Sequence, residues 1–399
     1  MPFKLPSFTD LNQTQKILIQ LLPKADKLAV IGGPGTGKTI VGVEGAIQMM
    51  NFGKKCLFLS YSRTLKYFIE NIAFENNLDM SKIEIDTFHH WFWYYMREQF
   101  DMDERRLAIY QEQDYVWNIE RLNTFFDTCG KTAEQLIKYD CLFIDEAQDI
   151  QDGMMKILKR ITRNVFVTYD DSQKVGFETK TIDALEFDHS NILNDLGIGD
   201  RFYDLIDNYR NTKEIESVAK DFLSSYDENE MSLVKSTAKR TGPTPKLIRS
   251  ADGDLTKITT YIANHYDKSK SVGVLFGNDD LDRGKAVFDQ LYDGLKKQLG
   301  SSVHYKYGRN KTDINNRNAL SNGIFLMTMK SSKGLEFDQV YIIADNFSLE
   351  KIVGRNSLYV SITRARESAN IVMLPTTTKN KKLNEVLESK SYMFKEERI

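Results

Sequence analysis

The amino-acid sequence predicts an α/β protein built around parallel sheets, on three observations. Apolar runs typical of buried strands alternate with segments of helical periodicity along most of the chain. One strand–helix pair, residues 28–47, is joined by a glycine-rich loop. The length of 399 residues is enough for two or three domains. Because a strand–helix–strand unit places its two strands parallel, each such unit predicts part of a parallel sheet.

The composition excludes several classes of protein. Hydrophobic residues make up 41% and charged residues 28%, and the net charge is −2, so any nucleic-acid binding must use a local patch. The three cysteines (Cys56, Cys129 and Cys141) form neither a disulfide framework nor a metal spacing, which favours a cytoplasmic location. The sequence has no apolar signal core and no run long enough to span a bilayer, so we expect no membrane association.

The glycine-rich loop has the pattern of a phosphate-binding loop. Residues 32–39, GGPGTGKT, fit G-x-x-x-x-G-K-[ST] between an apolar strand and a helix. The glycines let backbone N–H groups surround phosphate oxygens, and the helix N-terminus adds a partial positive charge. Lys38 can reach the β- and γ-phosphates, and the Thr39 hydroxyl can ligate Mg²⁺. The residues expected to hold a nucleoside triphosphate are Gly33, Gly35, Thr36, Gly37, Lys38 and Thr39.

Two polar residues, one before this loop and one after it, each have two possible interpretations. Gln15 lies in a short helical pattern before the loop, where it is either a solvated residue or a bidentate partner for adenine. The strand CLFLS that follows the first helix ends at Ser60. Tyr61, directly after it, either stacks on a base or belongs to the cap of the next helix.

The next strand leads into an aromatic-rich region. Thr87 and His89 follow the end of this strand, and His89 taken alone is more often a packed histidine than a phosphate contact. Residues 91–138 have aromatic and charged side chains at helical spacing, which predicts a small helical insertion with its own core.

Two further strands end in residues that suit phosphate chemistry. The strand in YDCLFIDEAQD ends at Asp145 and Glu146. Downstream of a phosphate loop, Asp145 is placed to hold Mg²⁺ through water and Glu146 to deprotonate an attacking water. The strand in VFVTYDDSQ ends near Gln173, whose neutral amide either senses the γ-phosphate or lies in a polar turn.

The second half of the chain contains arginines that also suit phosphate chemistry. Arg210, in NYRNT, is a candidate arginine finger, and Arg364 and Arg366 lie between a helical stretch and a strand. Residues 227–245 are polar and predict a loop. Residues 306–317 are basic and predict a solvated loop, with contact to a nucleic-acid backbone as the alternative.

Taken in order, these segments resemble the UvrD/Rep-like branch of the superfamily 1 helicases. The combination of KGLEF and TRAR is the part most specific to this branch, since the RecD- and Pif1-like branch lacks the KGLEF form. The matching stretches extend from Leu11 to Arg366, and they are LNQTQ, GGPGTGKT, FLSYSRTL, DTFHHW, IDEAQD, TYDDSQ, NYRNT, MTMKSSKGLEFDQV and YVSITRAR.

The resemblance implies two RecA-like domains with ATP and Mg²⁺ bound between them, and 3′-to-5′ movement along a single strand. We expect the first domain at residues 1–198, with a helical insertion at about 92–138. The second is expected at 199–399, with a reduced insertion within 220–322.

The resemblance also implies roles for individual residues. Arg210 and Arg364 approach the γ-phosphate from the second domain, and Gln173 couples the γ-phosphate to the strand. Gln15 reads adenine and Glu336 lies by the ribose. The positions that match strand contacts are Tyr61, Thr87, His89, Phe177, Thr328 and Lys330.

The sequence departs from the family pattern in the residues that grip the strand. Tyr169 stands where the family usually has glycine, and Lys330 stands where it usually has histidine. Phe177 follows Gln173 with one residue fewer between them, and no arginine accompanies it. Both insertions are much shorter than usual, which predicts a minimal motor, either unregulated or regulated by a partner.

Two functions follow as hypotheses. The first is an ATP-dependent translocase or helicase on single-stranded DNA, with RNA left open because both strands offer phosphates and stackable bases. The alternative is a nucleotide-sensing regulatory subunit that controls a partner nuclease or effector. Unwinding of tailed duplexes would count against the alternative.

Overall fold

Two large sheets, one in each half of the chain, organise the protein. The computed structural model describes residues 6–60, 63–75, 77–113, 116–170, 190–198, 202–224, 237–277, 283–307, 311–312, 314, 322–345, 352–377 and 380–399. Within these ranges, no helix has the length and apolar character needed to cross a bilayer.

The first half of the chain alternates strands and helices. Its strands are β1 (Lys27–Gly32), β2 (Cys56–Ser60), β3 (Ile83–Thr87), β4 (Gln111–Gln113), β5 (Val116–Trp117), β6 (Tyr139–Ile144), β7 (Thr162–Tyr169) and β8 (Tyr203–Leu205). Its helices are α1 (Gln13–Leu21), α2 (Lys38–Asn51), α3 (Arg63–Glu75), α4 (Phe88–Phe100), α5 (Glu104–Ala108), α6 (Ile119–Thr128), α7 (Ala133–Leu136), α8 (Met154–Leu158) and α9 (Ser190–Leu196).

The second half of the chain also contains both strands and helices. Its strands are β9 (Asp207–Thr212), β10 (Thr237–Arg240), β11 (Lys246–Arg249), β12 (Ser271–Phe276), β13 (Val303–Tyr307), β14 (Lys311–Thr312), β15 (Gly323–Thr328), β16 (Phe337–Ala344), β17 (Ala365–Met373) and β18 (Lys395–Arg398). Its helices are α10 (Lys213–Ser224), α11 (Leu255–Asn264), α12 (Arg283–Leu299), α13 (Met329–Ser332), α14 (Ile352–Thr363) and α15 (Lys381–Ser389).

The first sheet has six strands in the order β3-β2-β6-β7-β1-β8, and every pair is parallel. The predicted parallel α/β architecture is therefore confirmed. Because the strands run the same way, the segments that follow β1, β2, β3, β6 and β7 all emerge at one edge of the sheet, where ligands bind in such folds.

Apolar residues cover both faces of the first sheet. One face packs against α1, α2 and α3, and the other packs against α4, α6, α8 and α9. The insertion therefore shares its core with the sheet, and the predicted separate core is wrong. Trp91, Phe92 and Tyr95 of α4 belong to the same buried cluster as Leu57 and Leu142 of the sheet.

The second sheet has eight strands in the order β14-β13-β15-β12-β16-β17-β11-β18, and only β14 is antiparallel to its neighbour. Strands β11 to β14 all belong to this sheet, so the described part of residues 220–322 consists largely of second-domain structure. Two predictions of irregular structure are wrong in part. Strand β10 lies inside the predicted loop at 227–245, and β13 and β14 extend into the basic segment at 306–317.

The connection between the two halves bears on the domain division. Strand β8 pairs with β1 in the first sheet, although it lies beyond residue 198. Strand β9, which follows it, pairs with β10 in a separate two-stranded sheet. We therefore propose that the division lies after Leu205.

Candidate active site

The phosphate-loop residues follow β1 and lead directly into α2. Gly35 and Gly37 have positive φ angles of 72° and 89°, a backbone conformation that favours glycine. Gly37 is the N-cap of α2, so the first N–H groups of a 14-residue helix lie at the end of the loop. The Thr36 hydroxyl donates to the Gly33 carbonyl at 2.8 Å and stabilises the turn.

Lys38, the first residue of α2, is buried under the loop. Its Nζ donates to the carbonyls of Gly32 and Gly33 at 2.6 and 3.0 Å. It also lies 3.7 Å from an Asp170 carboxylate oxygen beyond the end of β7. A buried ammonium held beneath a glycine loop can bind phosphate oxygens as a point charge.

Two hard oxygen donors meet beside this lysine. The Thr39 hydroxyl donates to Asp145 Oδ2 at 2.5 Å, and the other Asp145 oxygen accepts from the Thr168 hydroxyl. Burial, with the charge of Glu146, raises the pKa of Asp145. Carboxylate and hydroxyl oxygens are ligands that Mg²⁺ prefers, and this donor pair fits such a cation.

Glu146 follows at the end of β6 in an unusual backbone conformation. Its φ and ψ are +60° and +48°, the left-handed region that non-glycine residues rarely adopt. The Gln148 side chain donates to its carboxylate, and Gln148 in turn accepts from the Asp170 N–H at 3.0 Å. Burial alone would raise the pKa of Glu146, but the cations Lys333, Lys38 and Arg364 outweigh it and lower the pKa. The carboxylate is therefore ionised at neutral pH and can accept a proton.

The second half of the chain brings arginines to this edge. Arg210, in β9, donates from Nε to Glu336 Oε2 at 2.7 Å, and Arg366 lies 3.7 Å from the other Glu336 oxygen. The same β9 segment contacts the phosphate loop, because the Tyr209 N–H donates to the Gly35 carbonyl at 2.9 Å. A Cβ added at Gly35 would overlap the Asn208 and Arg210 side chains.

Arg364 is fully buried between α14 and β17. Its guanidinium donates to the carbonyls of Val360 and Leu335 at 3.0 and 3.2 Å. Burial, with the charge of Arg210, lowers the pKa of Arg364 to about 10, while Glu146, Asp170 and Glu336 act in the opposite direction. A guanidinium with this pKa keeps its charge at neutral pH, and it lies among the carboxylates of both halves.

One buried ion pair joins the two halves directly. Lys333, in the turn after α13, contacts the Asp149 carboxylate three residues beyond Glu146, and their side chains are 0% and 1% exposed. Glu146, the candidate general base, is therefore under the influence of two cations, Lys38 from the first half and Lys333 from the second.

A small recess opens beside these carboxylates. It is lined by the ends of β2 and β6, by the start of α4 and by residues that follow β6, and these include Ser60, His89, Asp145, Glu146 and Asp149. The recess therefore connects a predicted strand-contact residue, His89, with the predicted catalytic carboxylates.

Comparisons with known proteins agree with this geometry. Residues 15–178, which carry the phosphate loop and the carboxylates, match the family described as AAA domain. Residues 323–372, which carry Lys333, Glu336 and Arg364, match the UvrD-like helicase C-terminal domain. The chain is a UvrD-like member of the superfamily 1 helicases.

Similar solved structures exist for part of this UvrD-like chain. One is the crystal structure of the C-terminal domain of a possible DNA helicase from Lactobacillus plantarum WCFS1. It is 17% identical, covers 47% of this chain and 98% of that chain, and gives a TM-score of 0.31. No curated protein matches the chain.

The UvrD-like site contains most of the residues predicted to act on the nucleotide. The residues that lie together around the phosphate loop and the second-half arginines are Gln15, Gly33, Gly35, Thr36, Gly37, Lys38, Thr39, Asp145, Glu146, Arg210, Glu336 and Arg364. Gln173, Tyr61 and Phe177 lie outside the described residues, as does the side chain of Lys330.

Gln15 is not on a solvated helix face. It is 4% exposed, its Nε2 donates to the Thr36 carbonyl at 3.1 Å, and its Oε1 accepts from the Asn12 N–H at 3.0 Å. The amide therefore links the start of α1 to the phosphate loop.

The two predicted threonine contacts have equivalent positions in the two halves. Thr87 ends β3 and is the N-cap of α4, and Thr328 ends β15 and is the N-cap of α13. Both are buried, at 9% and 2% exposure. The Thr328 hydroxyl accepts the Ser331 N–H at 3.4 Å, so it has a structural role in its cap.

Sequence reasoning missed three features of the site. Tyr209 is 45% exposed beside Asn12, whose side-chain amide donates to its hydroxyl at 2.9 Å. The sequence feature that could have revealed Tyr209 is its position directly before the arginine-finger candidate. The only sequence feature that pointed to Lys333 was its position in the KGLEF stretch. No sequence feature pointed to the buried pair Asn208 and Asn211.

Proposed function

We propose that the protein hydrolyses ATP between its two RecA-like domains and uses this cycle to move 3′ to 5′ along single-stranded DNA. The observation that carries the proposal is the meeting of two sets of charges. Lys38, Asp145 and Glu146 from the first sheet lie among Lys333 and Arg364 from the second. Such a shared site makes hydrolysis depend on how the two domains sit together.

Each residue has a defined part in the proposed reaction. Lys38 and the loop N–H groups hold the β- and γ-phosphates, and Glu146 orients the attacking water and takes its proton. Arg210 and Arg364 stabilise the charge that develops on the transferred phosphoryl group. Mg²⁺ bound by Thr39 and Asp145 would supply electrostatic stabilisation of the phosphates.

The nucleoside would lie at the outer side of the loop. Gln15 sits against Thr36 there, and Tyr209 offers an exposed ring on which adenine can stack. We propose that Glu336, whose Oε2 lies 2.7 Å from Arg210 Nε, binds a ribose hydroxyl. A ribose bound to Glu336 would compete with this ion pair and free Arg210 to turn towards the phosphates.

The strand would pass over the carboxyl edges of the sheets. His89 shares the recess with Glu146, so a strand seated near His89 could change the setting of the catalytic base. We propose Tyr61, Thr87, Phe177, Thr328 and Lys330 as the other contacts, and we expect a cytoplasmic protein.

Streptavidin displacement tests both movement and direction. Oligodeoxynucleotides biotinylated at either end are loaded with streptavidin and incubated with the protein, ATP and Mg²⁺. We expect faster displacement from the 5′ end, no displacement by the Glu146→Gln variant, and a rate that falls with added salt. Faster displacement from the 3′ end would contradict the direction.

Absence of displacement from both ends, together with hydrolysis that ignores nucleic acid, would contradict the motor itself. Those results would favour the alternative, a nucleotide-sensing subunit that controls a partner nuclease or effector.

A further inference from the structure

The side chain of Asn211 brackets the buried arginine Arg364. Asn211 lies in β9 and is 0% exposed. Its Nδ2 donates to the carbonyl of Thr363 at 3.0 Å and to the carbonyl of Ala365 at 2.6 Å. These two residues immediately precede and follow Arg364, so one amide group holds the backbone on both sides of the arginine.

A second buried amide ties this contact to the other arginine. Asn208 Oδ1 accepts the N–H groups of Arg210 and Asn211 at 3.0 and 3.1 Å. Its Nδ2 donates to Asn211 Oδ1 at 3.0 Å and to Glu216 Oε1 at 3.1 Å. Every side-chain hydrogen-bonding atom of the two asparagines is thereby engaged, and the backbone of Arg210 is connected to the backbone of Arg364.

The sheet fixes this stretch of chain only in part, through the Phe337 N–H, which donates to the Arg364 carbonyl at 2.9 Å. Strands β16 and β17 pair from Phe337 and Ala365, but their register shifts before Gln339 and Ser368. The irregularity lies between Ala365 and Ser368, directly after the point where the chain passes from Arg364 into β17. The Asn211 amide supplies hydrogen bonds to the carbonyls at this point, so it constrains where the Arg364 side chain begins.

We propose that Asn211 is a positioning residue that, through Asn208, holds Arg210 and Arg364 as one unit facing the γ-phosphate. The inference rests on the proposed ATP site and extends it. In this inference, the uncharged side chains of Asn208 and Asn211 hold both arginines at a fixed position relative to the phosphate loop. Asn208 lies next to that loop at Gly35.

A double-mutant cycle between Asn211 and Arg364 tests the proposal. Asn211→Ala, Arg364→Ala and the double variant are compared for kcat and KM of ATP hydrolysis. Loss of two neutral hydrogen bonds should lower kcat roughly tenfold, with little change in KM. In the Arg364→Ala background the same substitution should change kcat by less than about twofold, because the arginine that Asn211 flanks is gone while Asn208 Oδ1 still accepts the Arg210 N–H.

A second readout does not require hydrolysis. The ratio of the Kd values for ADP and a non-hydrolysable ATP analogue reports contacts to the γ-phosphate. Arg364→Ala should lower this ratio, Asn211→Ala should lower it in the same direction, and the double variant should match Arg364→Ala. This readout remains informative if hydrolysis ignores nucleic acid and the motor proposal fails.

The matched control is Asn384→Ala. Asn384 is also buried in the second domain, and its amide donates to the Leu374 carbonyl at 2.9 Å and to the Thr376 hydroxyl at 3.0 Å. We expect lower thermal stability in this control, with kcat and the Kd ratio unchanged. Should Asn211→Ala not fold, Asn211→Leu has a similar size and shape, removes both donors without adding a charge and allows the same measurements.

Two results would overturn the inference. One is an equal fall in kcat on removing Asn211 in the wild-type and Arg364→Ala backgrounds, which would make its role purely structural. The other is an Asn211 variant whose kcat and Kd ratio both equal those of the wild type.

Discussion

The backbone of Glu146 is strained at the point where the chemistry is proposed. A non-glycine residue in the left-handed region costs about 1–3 kcal/mol and persists only where its surroundings hold it. Here Gln148 holds the carboxylate, and Lys38 and Lys333 favour its charged form. The strain is consistent with a carboxylate fixed in one direction as a general base.

Replacing this carboxylate by an amide should separate binding from hydrolysis. We expect Glu146→Gln to bind an ATP analogue as the wild type does and to hydrolyse ATP roughly 10²–10⁴ times more slowly. Asp140→Asn, in the same strand but at its far end, is the control and should hydrolyse normally. A normal rate in Glu146→Gln would show that another group accepts the proton.

Gly35 is needed both for its backbone angle and for the space above it. In Gly35→Ala the Cβ would overlap Asn208 and Arg210, so we expect weaker ATP-analogue binding and a lower Tm. Gly53→Ala is a close control, because Gly53 also has a positive φ, of 77°, but its Cβ would meet nothing within 4 Å. Equal binding losses in the two variants would show that contact with β9 is unimportant.

At the scale of elements, the short 3₁₀ turn Ala147–Asp149 is joined to the turn after α13 by the Lys333–Asp149 pair. Both side chains are buried, so removing one leaves an unpaired charge in the interior. The pair also brings the second domain to within reach of Glu146. It should therefore contribute to stability and to hydrolysis together.

Lys333→Met should lower the free energy of unfolding by about 3–5 kcal/mol, measured by urea denaturation. Adding Asp149→Leu should recover part of this loss, because the unpaired charge is then gone. Removing a lysine from the exposed pair Lys381–Glu385 should change stability little. If the double variant is no more stable than the sum of the single losses predicts, the two side chains do not interact.

The elements that the sequence predicted well are the ones buried in the middle of the sheets. Strand β2 (CLFLS) and the last four residues of β6 (CLFI) are runs of buried, mostly apolar side chains, because both of their faces are covered. Their loops follow the strands directly, so the residues at this edge of the sheet, where we propose the chemistry, could be brought together from the sequence alone.

The elements that were missed owe their structure to distant partners. Strands β10 (TAKR) and β18 (KEER) are short and polar, and only pairing with β9 and β11 makes them strands. Asn211 lies 152 residues from its first carbonyl partner, Thr363, so no local pattern reveals its role. The insertion was predicted to be helical, but its packing on the sheet depends on which face of α4 meets which strand.

At the scale of the whole molecule, our proposal is that the second domain completes a site that the first domain does not complete alone. Replacing Arg364 tests whether the second domain contributes to hydrolysis in this way. We expect Arg364→Ala to reduce hydrolysis by on the order of 10³-fold or more, as for other arginine fingers. Binding of a single strand without nucleotide should be largely retained, as measured by fluorescence anisotropy. Loss of that binding would instead place Arg364 at the strand site.

The measurement that tests the central claim most directly is steady-state ATP hydrolysis without nucleic acid, with single-stranded DNA and with single-stranded RNA. A motor on DNA predicts strong stimulation by the DNA strand, weakened by added salt because phosphate contacts carry the binding. Stimulation by RNA alone would still support a motor, but one that moves along RNA and not DNA. Hydrolysis indifferent to both strands would contradict the claim that this site drives movement on nucleic acid.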